Sequence, residues 1–174
     1  MNEKQIYLID ADVFISAKNQ YYAFDICPGF WKSMIHHCKA GNVRSLDRVK
    51  SELLAGRETE DLVLWVKNDL PSDYFLNADS EEVTSAYAEV MLWVQKNPQY
   101  SDAAKAEFAA GADGWLVAYA MVHGTIIVTN EQPRPESRRH IMLPDICTQF
   151  KVSYKGTFSM LNDLAVRFEW SGVA

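Results

Sequence analysis

The strongest constraint on the fold is an alternation: short strand-like runs are separated by longer stretches in which apolar residues recur at helical spacing. The runs are residues 5–9 (QIYLI), 43–46 (VRSL) and 125–129 (TIIVT). TIIVT is the clearest, being β-branched almost throughout and bounded by Gly124 and Asn130. Between the runs, helices are expected at residues 30–40, after Asp47, at 59–70, 80–95, 101–110 and 113–123, with a helix or turn over 11–22. Pro133 and Pro135 mark a loop, after which residues 141–143, a short helix beyond Pro144 and a terminal helix near 158–166 complete the chain. Strands alternating with helices predict a three-layer α/β fold with a short, mostly parallel sheet flanked by helices.

Composition narrows the class further. At 174 residues and 48% hydrophobic, the chain suits one domain spanning residues 1–174 and is too apolar for disorder. No apolar run approaches the roughly 20 residues that cross a bilayer, and the polar residues 1–5 lack a signal-peptide layout, so a cytoplasmic protein without a membrane partner is expected. Cys27, Cys38 and Cys147 have no C-x-x-C spacing, and His36, His37, His123 and His140 have no zinc-ligand spacing. These residues read as buried thiols and scattered histidines.

The formal net charge of −6 argues against nonspecific coating of nucleic acid, which needs many cations on phosphates. The acid excess lies in residues 1–131, with 11 Lys+Arg against 19 Asp+Glu, whereas residues 132–174 hold 6 against 4. Acids grouped around a divalent cation can still serve a phosphate, because bound metal reverses the local sign. Four acids fall where the crevice of an open α/β sheet would lie: Asp10 after the first strand, Glu52 one turn into the helix after the second, Asp113 at a helix start, and Glu131 two residues beyond TIIVT. Any one of them alone is explained by capping or turn chemistry.

Together, YLIDADVFI at 7–15, VKSELL at 49–54, ADGWLVAYA at 112–120 and IIVTNE at 126–131 resemble the PIN-domain nuclease family in order and spacing. The chain is similar to an uncharacterised PIN-like branch, a domain of unknown function, in KNQYYAFDICPGFW, AAKAEFAAGADGWLVAYA and PDIC. By position, the resemblance implies Asp10, Glu52 and Asp113 as metal-binding acids and Glu131 as a fourth, with Asp12 adding a carboxylate where the family has Ser, Thr or Asn. Glu131 departs from the family's Asp, and Asn130 is the candidate to offer an amide oxygen instead. The implied activity is Mg²⁺- or Mn²⁺-dependent hydrolysis of RNA, since hard cations take oxygen ligands, activate water and stabilise the leaving oxygen. The resemblance further implies a toxin role with a cognate antitoxin partner, and homodimerisation.

Other residues are candidates for substrate contact. Lys18 and Lys105 are placed to reach a phosphate or to solubilise the surface; Arg134, Arg138 and Arg139, in the Pro-bounded loop, are placed to grip one. Tyr21, Tyr22, Phe24, Phe30 and Trp31 offer base stacking, with core packing the stronger expectation. Two rival functions stand beside nuclease action. LIDADVF resembles the D-x-D step of haloacid-dehalogenase-like phosphatases, with Asp10 as nucleophile and Asp12 as acid/base, although Phe14 breaks that motif. The other is a PIN-like scaffold that has lost catalysis and acts as a binding module.

Overall fold

The computed structural model describes residues 5–170 and 172. Residues 1–4, most of the polar start considered above, lie outside that set. Five strands form one parallel sheet: β1 (Tyr7–Ile9), β2 (Val43–Leu46), β3 (Phe75–Leu76), β4 (Ile126–Val128) and β5 (Tyr154–Lys155), in the order β3-β2-β1-β4-β5. The central strands β1 and β4 are almost entirely buried, which explains their near-continuous apolar runs. Among the described residues, no helix is long and apolar enough to cross a membrane.

Helices cover both faces, giving the three-layer architecture expected from the alternation. They are α1 (Ala11–Ser16), continued as a π-helical turn (Ala17–Tyr21), α2 (Pro28–Lys39), α3 (Asp47–Leu53), α4 (Asp61–Asn68), α5 (Glu81–Lys96), α6 (Asp102–Ala110), α7 (Asp113–His123), α8 (Leu143–Gln149) and α9 (Thr157–Asp163). Local chemistry sets several boundaries. Ser80 and Ser101 cap α5 and α6 by accepting from the amides of Val83 and Ala104, and Gly124, at φ 64°, closes α7 in the left-handed region. Pro28 starts α2 two residues before the expected position, where its missing N–H costs nothing.

Two strands escaped the sequence reading. β3 and β5 are two residues each, too short for any periodicity, and exist because neighbouring strands offer edges to pair with. The terminal helix begins at Thr157 and ends by Asp163, earlier than expected.

The strand order places a switch point between β1 and β4, because the chain winds from β1 to β3 on one side and through β4 and β5 on the other. α7 returns the chain into β4, so its packing fixes one wall of the crevice there. That packing depends on Gly114, where an added Cβ would lie 3.0 Å from the Tyr87 ring and 3.3 Å from Phe108. Tyr87 has little room to yield, since it stacks on Trp115 at 3.8 Å and 7°. Gly114→Ala should therefore destabilise the protein by about 1–3 kcal/mol, read as a fall of roughly 2–4 °C in thermal midpoint per kcal/mol.

Candidate functional site

Asp10 ends β1 and caps α1. Its Oδ1 accepts from the Ala11 amide at 2.7 Å, and its own amide donates to the Val128 carbonyl at 3.0 Å. Thr129, directly after β4, donates its hydroxyl to Asp10 Oδ2 at 3.0 Å and lies 3.4 Å from Asp12 Oδ1. The ends of the two strands are thus joined through a carboxylate at the switch point. Asp12 is held by the Asn130 amide, which donates to its Oδ2 at 2.9 Å.

The remaining acids arrive from other elements. Glu52, on α3, accepts from the Ala112 amide at 2.8 Å and so reaches the residue preceding Asp113. Glu131, in the loop after β4, accepts from the Leu143 amide at 2.8 Å and caps the start of α8. That span explains the extra methylene of Glu at this position. Asp113 is different: it is the first residue of α7, the cap position is Ala112, and no hydrogen bond to its carboxylate is found among the described residues. A main-chain amide accounts for each of the other four acids but not for this one.

Glu52, Glu107, Asp113, Glu131 and Arg134 line a cleft of about 290 Å³. Burial, then the charges of Glu131, Glu52, Asp12 and Glu107, push the Asp113 carboxyl up to about 8. Asp10, only 4% exposed, is raised well above the ordinary carboxylate range by burial first, then by Asp113 and Asp12. Burial likewise raises Asp12 and Glu131, against hydrogen bonds from Asp10 and the Asn130 amide for the first and from the Leu143 amide for the second. Beneath them Cys147 is buried and unpaired, its thiol driven to about 12 by burial and by the nearby acids.

The five expected acids therefore act on one another electrostatically, though they come from separate segments. Their donor atoms are all oxygens, which suits a hard cation. Among the described residues, no group of three or more such side chains forms a ready-made metal cage. The hydrogen bonds give a physical reason, since Asp10, Asp12, Glu52 and Glu131 are each turned towards a main-chain amide. Among the described residues, Glu52 and Glu131 keep one oxygen free of such bonds, and Asp113 keeps both.

The structure gives the outer residues partners of their own. Asn130 has no idle amide oxygen, because its Oδ1 accepts from the Thr157 amide at 3.2 Å and hydroxyl at 2.8 Å, tying down the start of α9. Lys18 pairs with Glu60 at 3.2 Å, and Lys105 donates to the Gln95 carbonyl at the end of α5. Helical spacing puts Ala104, Glu107 and Phe108 on the cleft and turns Lys105 off that face. Arg138 and Arg139 are exposed and do not line the cleft; Arg134 does. Glu107 and His140, 3.3 Å apart across its rim, and the Thr129 hydroxyl were not singled out in the sequence. Asp145, in the PDIC segment, accepts from the Arg134 amide at 2.9 Å and anchors the loop.

Residues 7–168 match the model of a family described as a domain of unknown function (DUF4411). No curated protein matches the chain.

The cluster sets a pH dependence. A carboxyl whose pKa is higher folded than unfolded binds its proton more tightly in the folded state. Its stabilising effect is complete below the ordinary value of 3.8 and is lost as pH rises to about 8. In metal-free buffer, Asp113→Asn should thus raise the thermal midpoint at pH 8, by roughly 2–4 °C for each kcal/mol of repulsion relieved, and change it little at pH 4. Equal shifts at both pH values would count against the clustering.

Proposed function

We propose a hydrolytic function for this chain, which belongs to the DUF4411 family of domains of unknown function: a phosphodiester hydrolase that uses Mg²⁺ or Mn²⁺ and acts on RNA. The observation that carries this reading is Asp113, a half-buried carboxyl without a hydrogen-bond partner among the described residues, set among four other acids. A structural role gives no reason for such a group, because a carboxyl crowded by other acids and given no hydrogen bond costs stability, and here it holds a proton up to about pH 8 rather than keep its charge. A divalent cation gives one. The likeness of the four ordered motifs to PIN-domain nucleases supports the same reading.

In this reading Asp10, Glu52 and Asp113 hold the ion, with Asp12 beside them. When bound, Mg²⁺ or Mn²⁺ lowers the pKa of water and neutralises charge on the phosphate. Glu131, steadied by the Leu143 amide, keeps its second carboxylate oxygen free to accept the proton of the attacking water. Arg134 lines the same cleft and supplies a cation to the phosphate. Thr129 orients Asp10, and the Asn130 amide orients Asp12.

The phosphatase alternative is less well served. Asp10 is 4% exposed, too deep for in-line attack on a phosphomonoester, whereas each of its oxygens accepts one hydrogen bond and retains a lone pair for a cation. It also leaves Glu52 and Asp113 without a task.

The test is cleavage of single-stranded RNA by purified protein with Mn²⁺, alongside calorimetric titration of the ion. Asp10→Asn and Asp113→Asn should each lower cleavage by at least about a hundredfold and weaken Mn²⁺ binding. Wild-type protein that binds no Mn²⁺ would sink the reading in favour of a non-catalytic binding module; undiminished cleavage by the variants would refute these residue roles.

A further inference from the structure

The aromatic residues at 21–31 divide into two groups. Phe30 and Trp31 are buried, Phe24 stacks on Trp31 at 3.8 Å, and Tyr22 stacks on Phe30 at 4.6 Å, so most of the cluster belongs to the core. Tyr21 does not. It is 53% exposed and meets Phe158, 62% exposed, at 5.6 Å and 77°. Two rings at nearly right angles form an open corner, and Tyr22 backs it from 6.4 Å.

This corner belongs to a cleft of about 220 Å³ that also takes in Val13, Asn130 and Gln132. Those three residues alternate with the acids: Val13 follows Asp12, and Asn130 and Gln132 flank Glu131. The segment 130–132 thus separates the aromatic cleft from the acid cleft, with Glu131 lining one and its two neighbours lining the other. Polar atoms stand at the aromatic cleft. Because Asn130 Oδ1 is held by Thr157, its Nδ2 remains a donor; because Gln132 Nε2 donates to the Asn130 carbonyl, its Oε1 remains an acceptor.

We propose that the cleft of Tyr21 and Phe158 is a nucleobase subsite, which stacks an unpaired base of single-stranded RNA beside the phosphate addressed by the acids. The proposal deepens the hydrolase reading and rests on it for the position of that phosphate. Exposed ring faces next to a donor and an acceptor fit a planar heterocycle with polar edges. A base inside a duplex has its faces covered by the neighbouring pairs and its edge by its partner, so the subsite selects unpaired strands.

The experiment measures binding of a labelled 2′-O-methyl oligoribonucleotide, which resists hydrolysis, to the full chain in Mn²⁺, together with cleavage of the matching RNA. Tyr21→Ala and Phe158→Ala should each weaken binding roughly five- to hundredfold and raise KM, while Phe158→Trp restores binding. Both residues are exposed, so circular dichroism should show an unchanged fold. One abasic position in the oligonucleotide should weaken binding to wild type and have little further effect on Phe158→Ala. Overturning results are wild-type affinity in both alanine variants, equal losses from the abasic position in wild type and variant, or duplex binding as tight as single-strand binding. If wild type cleaves RNA and the variants keep its KM, the subsite fails and the hydrolase reading stands. If binding depends on both rings but no RNA or Mn²⁺ condition gives cleavage, the base site stands and the hydrolase reading fails.

Discussion

Asp10 is the joint on which the crevice depends. Its amide is bonded to the carbonyl at the end of β4, while its carboxylate takes one hydrogen bond from α1 and another from Thr129. A buried carboxyl is costly unless its lone pairs are satisfied, and here the partners come from the start of α1 and from the residue that follows β4. The same hydroxyl and the next amide reach Asp12. Two short strands are thereby pinned together at the ends where side chains from distant helices arrive.

Around that joint, helix starts and acids meet repeatedly. Asp10 lies at the start of α1, Glu52 reaches the start of α7, Glu131 the start of α8, and Asn130 the start of α9. Unpaired amides at helix N-termini favour negative charge, which offsets part of the repulsion among the carboxylates. The offset is incomplete. Asp113, at the start of its own helix but with no hydrogen bond to its carboxylate among the described residues, keeps a strongly raised pKa. The short loop after β4 serves both sides, sending Glu131 into the acid cleft and Asn130 and Gln132 to the aromatic one.

Much of this was legible in the residues. TIIVT, SEEV and ADGWLVAYA carry their own strand, cap and helix signals, and α5, α6 and α7 lie within a residue of where periodicity and caps place them. The five acids were legible as a set, through motif order. Their hydrogen-bond partners were not, because a main-chain amide 60 residues from Glu52 leaves no mark in the local sequence. Lys105 and Glu107 show the same limit: both lie in AAKAEFAA, and only the docking of α6 decides which of them faces the cleft.

The sequence by itself determined the alternation of strands and helices, the caps, and which residue types are available for chemistry, because these follow from local periodicity and backbone preference. Only the tertiary structure decided which acids share a cleft, that Asn130 serves α9, and that Tyr21 alone of its aromatic cluster stands more than half exposed and meets a ring from the far end of the chain. The physical reason is that burial and charge coupling depend on distances between segments far apart in sequence, and those distances exist only once the layers have packed.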